Sequence, residues 1–118
     1  MQEGELDKAI ARYRTSIERF PNFFRAYQNI GYALVQKGDY AGAKPMLVEA
    51  IEIGGGNGTL YGLLGYCFLN TGDASFALDS YRQALLFQPD SNDWLLGKLN
   101  SLLDTGMTQE AIGMLSDM

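Results

Sequence analysis

The stretch "KGDYAGA", residues 37–43, returns 34 residues later as "TGDASFA", residues 71–77. One step earlier stands "EGELDKA" at 3–9, and one step later "TGMTQEA" at 105–111. Gly4, Gly38, Gly72 and Gly106 are therefore evenly spaced, and so are Ala9, Ala43, Ala77 and Ala111. A fixed period of roughly 20 to 50 residues marks a repeat architecture in which each unit is one supersecondary motif.

Each period predicts two helices and two turns. In "FRAYQNIGYALVQKG", from Phe24, the residues Tyr27, Ile30, Gly31 and Leu34 fall on one stripe of an amphipathic helix. Gly38 follows, suited to the left-handed conformation that closes a helix C-terminus. Asp39 is suited to accept N–H bonds at the start of the next helix. That helix, "YAGAKPMLVEAIEI", stripes Ala43, Leu47, Ala50 and Ile51. The next period substitutes Tyr61, Leu64, Gly65 and Phe68, then Gly72-Asp73, then Ala77, Tyr81, Ala84 and Leu85. Pro21-Asn22 and Pro89-Asp90 break the chain between units. Small residues at Gly31, Gly65 and the repeated alanines keep both helices slim, so paired helices approach closely. A single hairpin cannot bury both faces, and stacking buries a continuous core.

This pattern resembles the tetratricopeptide repeat, a helix-turn-helix unit of 34 residues. Its aromatic, Leu-Gly, aromatic, Gly-Asp, small residue, aromatic or Leu, Ala and Pro positions are matched here by Tyr61, Leu64-Gly65, Phe68, Gly72-Asp73, Ala77, Tyr81, Ala84 and Pro89. The preceding unit matches with Tyr27, Ile30-Gly31, Leu34, Gly38-Asp39, Ala43, Leu47 and Ala50. The resemblance implies an all-α superhelix, a solenoid of antiparallel helix hairpins with about seven helices. It divides the chain into a partial repeat at 1–23, full repeats at 24–57 and 58–91, and an incomplete terminal unit at 92–118. In the last unit Lys98-Leu99 replaces Leu-Gly and Met107 replaces the aspartate, which predicts looser packing. The mid-repeat start and finish give the chain the look of a piece of a longer protein.

Composition narrows the function. At 47% apolar and 19% charged, the chain belongs with globular proteins. No apolar run is long enough to span a bilayer, and no signal peptide is visible, so no membrane insertion by this segment is expected. One cysteine excludes an internal disulfide, and the compartment stays open with a lean to cytoplasm over periplasm. Net charge is −5, and the basic residues Lys8, Arg12, Arg14 and Arg19 alternate with Glu5, Asp7 and Glu18, a solvated face and not a phosphate-tracking surface. No nucleic acid partner is expected.

Catalytic chemistry has little to stand on. Histidine is absent, and Cys67 lacks the imidazole partner a nucleophile needs, so it is expected as a buried inert thiol. "GGGNG", residues 54–58, has neither the Lys-Ser/Thr nor the G-x-G-x-x-G frame of a phosphate loop and is expected as a long, flexible turn. Its Asn57-Gly58-Thr59 matches a glycosylation sequon only as short sequons do by chance. Pro45 predicts a kink or a late start in its helix. No catalytic residue, metal site or cofactor is expected, and the chain reads as non-enzymatic.

In the resembled family the first helix of each hairpin lines a concave face, and the stripe not used for packing is the candidate peptide groove. Here that stripe offers Arg25, Gln28, Asn29, Tyr32, Val35 and Gln36, then Gly62, Leu63, Tyr66, Leu69 and Asn70, then Leu96, Asn100 and Leu103. A clamp for a peptide's terminal carboxylate is not expected, because Thr59, Leu63, Asp93 and Gly97 stand where cations or amides would be needed. Tyr32 and Tyr66 lie one repeat apart, with Gly62 leaving room beside them. They suit either an apolar peptide or helix in the groove or packing on the neighbouring hairpin, and both stand open. The expected role is a scaffold that binds a protein or peptide. The alternatives are self-association through apolar terminal edges (Ala9, Tyr13 and Ile17; Met114, Leu115 and Met118), a spacer, or the recruiting arm of a larger enzyme or assembly complex.

Overall fold

The computed structural model describes residues 3–117. Seven helices follow one another, α1 (Glu3–Arg19), α2 (Phe24–Lys37), α3 (Tyr40–Gly54), α4 (Gly58–Asn70), α5 (Ala74–Phe87), α6 (Asn92–Asp104) and α7 (Thr108–Asp117). No strand occurs among the described residues. Each helix packs on its neighbours in sequence, and α2, α4 and α6 touch in series along one side. The stack is elongated, 49 × 26 × 21 Å. Its radius of gyration, 15.2 Å, exceeds the roughly 13.5 Å of a compact domain of this length.

The repeated glycines do what their spacing predicts. Gly38, Gly72 and Gly106 adopt φ of 82°, 85° and 77°, the left-handed region where a Cβ would be strained. Each carries the same pair of bonds. Asp39 N–H donates to the Leu34 carbonyl and Gly38 N–H to Val35; Asp73 donates to Phe68 and Gly72 to Leu69; Met107 donates to Leu102 and Gly106 to Leu103. This double closure satisfies carbonyls that a helix end leaves orphaned. Gly4 instead lies in the first turn of α1 and closes nothing.

The aspartates diverge. Asp39 Oδ1 accepts from Gly42 N–H at 3.0 Å and caps α3. Asp73 makes no such bond, and its carboxylate faces Lys44 Nζ at 3.7 Å. That ammonium also donates to Thr71 Oγ1 at 3.0 Å and lies 5.3 Å from the Phe68 ring centroid.

Packing follows a knob that also repeats. A Cβ on Gly31 would meet Leu47 Cδ2 at 2.7 Å, and one on Gly65 would meet the Tyr81 ring at 3.0 Å. Gly31 and Gly65 are therefore the sockets for Leu47 and Tyr81, both within 2% of complete burial. Around them one core cluster joins α1 to α4 through Leu6, Ile10, Ile30, Leu34, Leu60 and Leu64, and a smaller one joins α5 to α7 through Leu78, Leu102 and Ala111. In the last hairpin Leu99 occupies the socket position, and its would-be knob Leu115 is left 55% exposed. The looser packing expected there is thus explained.

Two local expectations need correction. The glycine-rich stretch is no long flexible turn: α3 runs to Gly54, α4 starts at Gly58, and three residues connect them. Side chains fill the space the glycines leave. A Cβ on Gly54, Gly56 or Gly58 would run into Phe24, Tyr61 or Gln88 respectively. Asn57 then caps α4, its Oδ1 accepting from Leu60 N–H at 2.9 Å. Of the kink or late start expected at Pro45, the late start does not occur: α3 begins at Tyr40, directly after its cap. The carbonyl deprived of a partner belongs to Ala41, which is exposed and open to water.

Candidate functional site

Because α2, α4 and α6 follow one another along one side, side chains from all three meet there. They enclose an open recess of about 400 Å³, lined by Val35 of α2, Leu63, Tyr66 and Leu69 of α4, and Asp93, Trp94, Leu96, Gly97 and Asn100 of α6, with Tyr81 of α5 beneath. Of the predicted groove residues, the fold brings Val35, Leu63, Tyr66, Leu69, Leu96 and Asn100 together here. Tyr66 is 41% exposed and meets Tyr40 edge-on, with ring centroids 5.4 Å apart. Hydrogen bonding to the Tyr66 side chain, and then its charge, push the Tyr40 phenol above its usual range.

The remaining candidates lie elsewhere. Tyr32 packs half-buried against the first core cluster, where burial raises its phenol. For Tyr32, packing on the core is the arrangement found. Arg25 lies over its neighbour Phe24, 5.9 Å from the ring centroid. Gln28 and Asn29 are half-buried, Gln36 and Leu103 are exposed, and none of them reaches the recess. Asn70 turns back, its Nδ2 donating to the Tyr66 carbonyl at 2.8 Å. The room expected beside Gly62 is filled, since a Cβ there would strike the Trp94 ring.

Trp94 is the residue that sequence reasoning missed. Ser91 Oγ accepts from its backbone N–H at 3.3 Å, starting α6. Its indole Nε1 donates to Gln88 Oε1 at 2.6 Å, and its ring stands 6.2 Å from that of Tyr81. Tyr81 is wedged between two glycines, Gly65 on α4 and Gly97 on α6. The signal lay in the period: Trp94 falls one step after the core residue Leu60, and so large a ring at that position needs a gap in the adjacent helix. Gly62 is that gap.

Chemically the recess is an apolar, aromatic trough with a carboxylate and an amide at its rim. Cys67 lies on the buried side of α4, in the first core cluster, its thiol pushed up to about 11 by desolvation, which suppresses the reactive thiolate. Among the described residues no group of three His, Cys, Asp or Glu side chains could hold a metal. No described helix is long and apolar enough to cross a membrane.

Fold and recess together define a helical-hairpin repeat protein with an open recess along one side. Two tetratricopeptide family profiles match the chain, "TPR repeat" over residues 1–38 and "Tetratricopeptide repeat" over 34–99. The chain belongs to the tetratricopeptide repeat family, whose fold serves as a protein–protein interaction scaffold. It is 32% identical, over 90 residues, to the general transcriptional corepressor trfA of Dictyostelium discoideum; this covers 76% of the chain but only 6% of that relative. It superposes on YrrB, a TPR protein with an unusual peptide-binding site, with TM-score 0.89 and 26% identity over 96% of this chain and 58% of that one. MamA of MSR-1 gives TM-score 0.84 at 26% identity, over 96% of this chain and 65% of that one. MamA of Desulfovibrio magneticus RS-1, at 17% identity and TM-score 0.85, covers 97% of this chain and 64% of that one and shares the fold. The chain thus spans less than two thirds of the length of YrrB and both MamA proteins, and a small fraction of the corepressor.

Proposed function

We propose that this chain is a non-enzymatic scaffold that holds an apolar segment of a partner protein in the recess between α2, α4 and α6. The observation that carries this is the pair of large side chains left open there, Tyr66 at 41% and Leu96 at 54%, on either side of a preformed aromatic floor. Recesses that accept ligands are concave, largely apolar and furnished with a few polar groups, which this one is. The likeness to YrrB supports a peptide as the occupant.

Tyr66→Ala and Leu96→Ala test it against Leu86→Ala, a still more exposed apolar residue that does not line the recess. Partner affinity should drop about tenfold or more in the first two and stay unchanged in the third. Equal affinity across all three would remove the recess from consideration.

A second reading rests on the open edge between α6 and α7, a cavity of about 610 Å³ lined by Leu95, Leu96, Lys98 and Met114 among others. Such an apolar edge suits self-association. The opposite edge is better covered than expected, because Tyr13 and Ile17 pack on the first cluster. Met118 lies outside the described residues. Light scattering decides: concentration-dependent mass supports self-association, and a monomer throughout rejects it.

A further inference from the structure

Resting on the recess as the binding site, we infer that its occupant is anchored by a cationic side chain, a lysine or arginine set among apolar residues. The lining supplies what a cation needs and nothing that repels it. Tyr66 and Trp94 present aromatic surface, Tyr81 lies beneath them, and Asp93 and Asn100 stand at the rim with acceptor oxygens. An ammonium or guanidinium is attracted to an aromatic face within about 6 Å of the ring centroid, best of all to tryptophan. No lysine or arginine lines the recess.

Asp93 is available for this role. It is exposed, in the first turn of α6, and makes no ion pair or hydrogen bond among the described residues. Three other carboxylates, by contrast, are committed: Asp39 caps α3, Asp73 faces Lys44, and Glu110 accepts from Arg82 at 3.0 Å. The helix N-terminus favours a negative charge where Asp93 stands. The aromatic surface is preorganised as well, because the Trp94 ring is fixed by the Gln88 bond and by its seat over Gly62. A net charge of −5 draws cationic segments toward the chain as a whole. An apolar trough alone would not discriminate among hydrophobic peptides, and Asp93 supplies the discrimination.

The test is selection from a displayed random-heptapeptide library on the wild type and on Asp93→Asn, followed by titration of the selected peptides. Trp94 is the sole tryptophan, so its fluorescence reports the recess directly. The wild type should select Lys or Arg at one fixed position beside apolar residues, and affinity should fall as salt rises. Asp93→Asn should weaken the selected peptide about tenfold and erase the basic preference, and replacing the basic residue by Met should bind both proteins alike. A wild-type consensus without a basic position, or an affinity unchanged in Asp93→Asn, overturns the cationic anchor and leaves the recess standing. If no peptide is selected, or binding ignores Tyr66→Ala, the recess itself fails as the site and the anchor falls with it.

Discussion

Gly97→Ala and Gly113→Ala make the same chemical change in two helices and should act with opposite sign. Each replaces a helical glycine, and propensity alone favours alanine by about 0.8–1 kcal/mol. At Gly113 a Cβ meets nothing within 4 Å, so that gain should appear nearly undiminished. At Gly97 the Cβ would fall inside the van der Waals envelope of the Tyr81 ring. The ring has little room to retreat, since its far side is seated against the Gly65 backbone, so closely that a Cβ there would come within 3.0 Å of it. Overpacking a filled core costs about 1–3 kcal/mol, and so close an approach belongs in the upper part of that range, about 1.5–3 kcal/mol. Set against the propensity gain, Gly97→Ala should be destabilised by about 0.5–2 kcal/mol. For a chain of this length that is a melting temperature lower by about 2–8 °C, whereas Gly113→Ala should rise by up to about 4 °C. Thermal melts followed by circular dichroism at 222 nm measure both. Tyr81→Leu removes the obstructing ring, so combined with Gly97→Ala it should cost less than the two changes summed. A Gly97→Ala protein as stable as the wild type, or simple additivity, would refute the wedge.

The other expectations are smaller in scale. Asp39→Ala should cost about 1 kcal/mol, the value of an N-cap bond, and Asp73→Ala less, since it loses only a partly exposed pairing with Lys44; urea midpoints compare them. Gly38→Ala forces a Cβ into the left-handed region and should cost about 1–2 kcal/mol by the same assay. Folding holds the Cys67 thiol protonated to about 11 where the unfolded chain would ionise near 9.0. Its stabilising contribution is therefore intact below about pH 9 and lost as pH rises toward 11, with the buried Tyr81 phenol acting in the same direction at higher pH. Urea midpoints across that window should fall, and less steeply in Cys67→Ala. In the folded chain Cys67 should resist iodoacetamide at pH 8 and react once urea unfolds it.

The fold was legible because its determinants repeat. Gly38, Gly72 and Gly106 share one backbone conformation and one pair of hydrogen bonds, so comparing equivalent positions found all three turns. The same comparison misled at Asp73, where the letter recurs but Lys44, which has no counterpart in the other turns, draws the carboxylate away. The recess was only half legible for a related reason. Tyr66, Leu69, Leu96 and Asn100 follow from helix phase, but Trp94 and its socket Gly62 form a pair across two hairpins that occurs once. Periodicity compares like with like along the chain and is blind to such single complements. The glycine-rich connection shows the same limit, since its glycines make room for Phe24, Tyr61 and Gln88 and do not loosen the chain. Composition cannot distinguish those two uses of glycine.

The most direct measurement of the central claim is amide chemical-shift mapping of the labelled protein with a library-selected peptide. Perturbations should gather on Val35, Leu63, Tyr66, Leu69, Trp94 and Asn100, from three helices distant in sequence and joined only by the recess. Perturbations confined to the exposed Phe76, Leu86 and Phe87 of α5, or to α7, would contradict it.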